Sequence, residues 1–169
     1  RLIKPCPELE NAYEDFRADW KANHDKIIPA AVRGEGMNYV QLQSYLRRRE
    51  SISDPGQVPA TVFFLQDETG RILGAIDIRR QLNDYLLSYG GHIGYGIRPS
   101  CRGKGLAAQM LFMALPIAKE LGIDRALVTC DKNNPASAKT ILRCGGVLED
   151  EQFDSSDGTL TQRYWIQNK

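Results

Sequence analysis

No stretch of the chain approaches the roughly 18 consecutive apolar residues that a membrane-crossing helix needs. Histidine is scarce, with two copies, and the four cysteines, Cys6, Cys101, Cys130 and Cys144, are scattered without a C-x-x-C pair. That supply is too thin for a zinc site or a disulfide framework, and it suits a reducing cytoplasm. Net charge is nearly absent too: 22 Lys and Arg against 21 Asp and Glu leave +1. Nucleic-acid binding rests on a clustered basic excess, so it is not the expected activity. The opening "RLIKPCPELENAYEDF" lacks the apolar core of a secretory leader. The chain begins with Arg1 rather than Met, so what precedes it stays open. Internal repeats, low-complexity tracts and long linkers are also missing, and the expectation is one domain over residues 1–169.

What is present is ordinary globular composition, 42% hydrophobic and 25% charged. Leu9, Tyr13, Phe16 and Trp20 recur at helical spacing after Pro7, and Val40, Leu42, Tyr45 and Leu46 mark a second helix in "MNYVQLQSYLRRRESI", ended by "SDPGQVP". "ATVFFLQ" and "RILGAIDIRR" flank "DETG" as a hairpin, and "HIGYGIR" is a short strand stopped by Pro99. A helix from Gly105 to about Leu121 carries Leu106, Met110, Met113, Ile117 and Leu121 on one face. Gly122 ends it, and Pro116 inside it should remove a hydrogen bond and kink it. "RALVTC" is a strand, "NPASAKTILRC" a helix with Ala138, Ile141 and Leu142 inward, and "GVLEDEQF" and "LTQRYWIQ" a closing pair of strands. The order α-α-β-β-β-α-β-α-β-β predicts a layered α/β (α+β) fold.

The stretch "RPSCRGKGLAA" is the chemical puzzle. N–H groups in the first turn of a helix lack intrahelical acceptors, and the helix dipole adds positive charge there. Gly103 and Gly105 would let the backbone approach a phosphate closely, with Arg102 and Lys104 supplying charge. A solvated basic turn explains the same residues. A Walker loop is excluded because Leu106 follows Gly105, and the dinucleotide fingerprint fails for want of its third glycine.

The surrounding pattern decides between them. "GYGIRPSCRGKGLAAQMLFMAL" followed by "ALVTCDKNNPASAKTILRCGGV" resembles the GCN5-related N-acetyltransferase (GNAT) superfamily over about residues 60–165. Its [RQ]-x-x-G-x-[GA] motif falls on Arg102, Gly105 and Ala107, and its later Asn, small residue and Gly fall on Asn134, Ser137 and Gly145. The double glycine at Gly145 and Gly146, with "LNDYLL…GGHIGYGIRPS", is similar to a bacterial subgroup of acetyltransferases with mostly undefined acceptors. The resemblance implies one GNAT-like domain with a mixed, mostly antiparallel sheet, helices on both faces, and acetyl-CoA as donor without a metal.

In such a site the pyrophosphate would lie on the N–H groups of Gly103, Lys104, Gly105, Leu106 and Ala107. The pantetheine arm would pair with Ile97 and Arg98, Asn134 would bond it, and Lys139 would meet the 3′-phosphate or stay solvated. The Ile97 N–H would polarise the thioester. His92, just before "IGY", is the favoured base, with a structural role as the alternative. Asp77 and Asp84 are the other candidates, for proton removal or for binding a cationic amine. The family's thiolate-protonating Tyr is replaced by Ile141, which leaves Cys144, Tyr164 or water for that role, or a thiolate that departs unaided. The expected acceptor is a primary amine of a small molecule, walled by the first two helices. A protein N-terminus or lysine is the second reading and a non-catalytic acyl-CoA-binding module the third, and a homodimer is compatible with all of them.

Overall fold

The computed structural model describes residues 1–51 and 54–168. Ile52 and Ser53, the end of the expected second helix and the start of its breaker, lie outside them.

Chain order is β1 (Leu2–Ile3), α1 (Glu10–Ala22), α2 (Tyr39–Arg48), β2 (Ala60–Gln66), β3 (Ile72–Arg79), β4 (Ile93–Ile97), α3 (Leu106–Glu120), β5 (Arg125–Asp131), α4 (Pro135–Arg143), β6 (Val147–Asp154) and β7 (Thr159–Gln167). The described strands form one sheet in the order β1-β2-β3-β4-β5-β7-β6, antiparallel except for β4 beside β5. The two-residue β1, which pairs with Leu65 and Phe64 at one edge, was not expected. Two residues are too few to show the alternation that marks a strand in sequence.

Each sheet face has its own core. Tyr13, Phe16 and Trp20 of α1 and Tyr39, Leu42 and Leu46 of α2 bury against Val62, Phe64 and Ala75 on one face. Met110, Leu111, Ala114 and Ala118 of α3 and Ile141 of α4 bury against Ile76, Ile93, Val128 and Tyr164 on the other. Asn38 starts α2 with a reciprocal capping box to Gln41, which fixes Tyr39 as the first inward residue. Val40, expected inward, therefore lies about 100° round the helix and is 60% exposed. Leu142 is likewise exposed at 53%, because its neighbour Ile141 takes the inward direction at the end of the short α4. Helix α3 continues through Pro116, which is exposed, so the carbonyl freed by the missing N–H faces water. Gly122 ends it in the left-handed region, its N–H donating to Lys119 O.

Candidate active site

Strands β4 and β5 are the only parallel neighbours, and they pair at Ile93 with Val128 alone among the described residues. Beyond that point the sheet opens. The Arg98 N–H donates to Leu73 O and the Arg79 N–H to His92 O, so even-numbered residues of β4 direct their polar groups towards β3. The backbone N–H groups of Tyr95 and Ile97 therefore face the opening. The carbonyl of Ile97 is already taken by Arg102 Nε at 3.0 Å, which leaves the N–H as its free group.

Directly after β4 a turn through Pro99–Cys101 leads into the glycine stretch and α3. Gly103 (φ 78°) and Gly105 (φ 74°) are both left-handed, a conformation that costs other residues about 1–2 kcal/mol. A Cβ at either would meet nothing within 4 Å. No side chain caps α3, and among the described residues none of the N–H groups from Gly103 to Ala108 finds an acceptor in the chain. Exposed N–H groups at a helix start can bind an anion, and nothing stands over the two glycines to block its approach. Lys104 is exposed and makes no ion pair among the described residues, so its charge is free for the same anion. Leu106 and Ala107 contribute backbone only, their side chains packing on the core.

Across the opening stands the start of α4. Asn134 caps it, its Oδ1 accepting from the Ser137 N–H at 3.1 Å, and Pro135 begins it. The Asn134 side-chain N–H₂ remains a free donor, and Lys139 is exposed one turn on. The half-buried Tyr95 reaches over from β4, its hydroxyl 2.8 Å from Ser137 Oγ. Sequence reasoning missed Tyr95. Its contact with Ser137 lies forty-two residues away in sequence, and no local pattern in "IGYGI" marks it.

Several expected ligands are committed elsewhere. Arg98 is 1% exposed, with its N–H on Leu73 O and its carbonyl accepting from Cys101 N–H. Its guanidinium donates to Asp15 Oδ2 at 2.6 Å and to Ile72 O, with Asp19 3.4 Å from Nε. It joins the strand end to α1 and offers a ligand nothing. Arg102 lies over the Trp20 ring at 4.9 Å and pairs with Asp25 at 2.8 Å, so its side chain also points to α1 rather than to the glycine cradle.

The expected catalytic side chains fare similarly. His92 accepts the Leu127 N–H on Nδ1 at 2.9 Å. Burial, with the charge of Arg79, pushes its pKa down to about 4. The ring is thus neutral with its proton on Nε2, and no lone pair is left for a base. Asp77 is 1% exposed and held between Arg49 and Arg79 at 3.4 Å from each. Tyr164 is a core residue of β7, its hydroxyl donating to Gln162, and Cys144 Sγ donates to Ala108 O. Burial raises both pKa values. Ile141 is wholly buried. Asp84 alone is exposed, beside Asn83, whose Oδ1 caps the turn at Leu86.

The acetyltransferase (GNAT) domain model matches residues 2–147. The chain belongs to the GNAT acetyltransferase family. It is accordingly an N-acetyltransferase fold with acetyl-CoA as donor. Among solved structures, a spermidine N-acetyltransferase mutant from Vibrio cholerae superposes with a TM-score of 0.63 at 15% identity, covering 99% of this chain and 94% of the other. The ribosomal-protein-S5-alanine acetyltransferase from Vibrio fischeri gives 0.68 at 18%, covering 100% and 92%. The microcin C7 self-immunity acetyltransferase, in complex with acetyl-CoA and AMP, gives 0.66 at 20%, covering 98% and 91%. At these identities the likeness concerns the fold. No curated protein matches the sequence. Among the described residues no helix is long and apolar enough to cross a membrane, and no group of three or more His, Cys, Asp or Glu could hold a metal.

Proposed function

We propose that the protein moves the acetyl group of acetyl-CoA to a primary amine of a small molecule by direct attack, with no covalent enzyme intermediate. The observation that carries this reading is the run of unpartnered N–H groups from Gly103 to Ala108, opening onto the gap between β4 and β5. The first feature suits a diphosphate and the second an extended amide-bearing arm, which gains strand-like hydrogen bonds from Tyr95 and Ile97. Asn134 adds a donor from the far wall, and Lys104 and Lys139 screen the phosphates. Whichever of the Tyr95 and Ile97 N–H groups faces the thioester carbonyl donates to it and stabilises the charge that develops on its oxygen as nitrogen attacks.

The attacking amine must be neutral. His92 has no free lone pair, and Asp77 is neutralised by two arginines. Water therefore takes the proton, and Asp84, exposed at the surface, attracts the ammonium form before it loses that proton. The alkaline rise of kcat/KM then follows the pKa of the acceptor amine rather than that of a protein group.

The test is thiol release from acetyl-CoA with a panel of amino acids, polyamines, aminated antibiotics and peptides bearing free N-termini. Turnover confined to small amines supports the proposal. Turnover confined to peptides moves the acceptor to a protein N-terminus or lysine. Tight CoA binding with no turnover on any of them makes the chain a binding module.

A further inference from the structure

Breaking a thioester leaves an electron pair on sulfur, and in a desolvated gap a thiolate is costly unless a donor meets it. The residues from which such a donor was expected are unavailable. Tyr164 is bonded inside the β7 core, Cys144 donates to Ala108 O, and Ile141 has no polar atom. Tyr95 is placed differently. Its backbone N–H faces the opening beside that of Ile97, two residues and about 6.6 Å further along β4. Its side chain lies on the face of α3 and α4 and spans the gap to the first turn of α4, where it meets Ser137 Oγ at 2.8 Å and Ser137 O at 3.5 Å. An arm that enters from the glycine cradle and runs along β4 passes Ile97 first and Tyr95 next. Whichever of the two N–H groups takes the thioester carbonyl, the sulfur lies within reach of a side chain as long as tyrosine.

Resting on the acetyl-transfer reading, we propose that the Tyr95 hydroxyl is the acid that protonates the departing thiolate, oriented by Ser137. As the N–C bond forms and the C–S bond breaks, the C–S electron pair leaves on sulfur and takes the Tyr95 proton. The proton from nitrogen goes to water, and the phenolate regains one from solvent through Ser137 Oγ, so charge and protons balance. Burial raises the Tyr95 phenol to about 12, so it carries its proton at neutral pH.

The experiment uses CoA as the probe and needs no acceptor. The thiol of bound CoA is titrated by thiolate absorbance on the wild type and on Tyr95→Phe, which keeps the ring that packs on the core. A phenol that donates to the thiolate lowers the pKa of the bound thiol, so ionisation in the variant should move up by about one to two pH units, the worth of one hydrogen bond to a charged group. With an accepted amine, kcat should fall by about 100-fold or more while KM for acetyl-CoA changes little. Equal thiol titration on the two proteins overturns the assignment of Tyr95 and leaves the acetyl-transfer reading standing. So does a loss confined to KM. Failure of the wild type to bind CoA overturns both.

Discussion

The glycine cradle makes a prediction in which stability and binding separate. In Gly105→Ala the added Cβ meets no atom within 4 Å, so the folded state suffers no collision. Its cost is that of holding alanine at φ 74°, about 1–2 kcal/mol. For a chain of this length each kcal/mol lowers Tm by about 2–4 °C, so a fall of roughly 2–8 °C is expected, well short of unfolding a domain that holds about 5–15 kcal/mol. Binding should suffer more. The methyl group stands in the space that a phosphate oxygen must enter to reach the free N–H groups, and losing one or two charge-assisted bonds at about 1.5–3 kcal/mol each weakens CoA by at least about tenfold. Calorimetric titration with CoA, paired with a thermal melt, reads both quantities. Acetyl-pantetheine, which has no phosphate, supplies the control, and its affinity should not change. Unaltered CoA affinity alongside the expected fall in Tm would refute the cradle, because the backbone would then have been strained without obstructing any ligand.

Other residues give independent tests. His92 is neutral when folded, with a pKa near 4 against about 6.5 unfolded, so the unfolded chain alone takes up a proton between those values. Stability should therefore be unaffected by this group above pH 6.5 and fall by up to roughly 3 kcal/mol as pH drops to 4. His92→Gln should flatten that part of a denaturation series while leaving the pH profile of kcat/KM as in the wild type; a lost acidic limb would restore His92 as base. Arg98→Met leaves the buried Ile72 carbonyl without its donor and Asp19 with the Ser100 N–H alone, while Asp15, 55% exposed and 3.5 Å from Arg71, turns to water, so a loss of about 1–3 kcal/mol is expected in the urea midpoint. Hydrogen bonding from Arg98 holds Asp15 below the usual carboxylate range. Burial alone would raise Asp19, but the Ser100 N–H and Arg98 outweigh it and keep Asp19 low. Their contribution is present above about pH 4 and lost as pH falls through the depressed values, so the variant should also lose acid sensitivity there. An unchanged midpoint at both neutral and acid pH would show that the cluster is not an ion-pair lock.

What could be read from the sequence divides by the range of the interactions involved. The glycine turn that opens α3 and the placing of the helices were legible, because each depends on backbone conformation or periodicity within a few residues. The roles of Arg98, Arg102 and His92 were not, although they neighbour or belong to the same motifs. Arg98 is set by Asp15 and Asp19 on a helix some eighty residues earlier, and Arg102 by Trp20 and Asp25 beside it. His92 is set by a backbone N–H of β5, thirty-five residues later. A basic residue next to an anion site reads as a ligand until an acid from elsewhere claims it, and a histidine beside a cleft reads as a base until a donor occupies its lone pair. The two arginines show what that costs and what it gains. The strand end and the first residue of the motif are fastened to α1, the helix expected to wall the acceptor side. On the proposed reading the glycine cradle then borders the expected acceptor wall through Arg98 and Arg102, while Lys104 and the free N–H groups are left for the donor's phosphates. Positive charge at the motif thus serves two different ends, and only the three-dimensional partners of each side chain separate them.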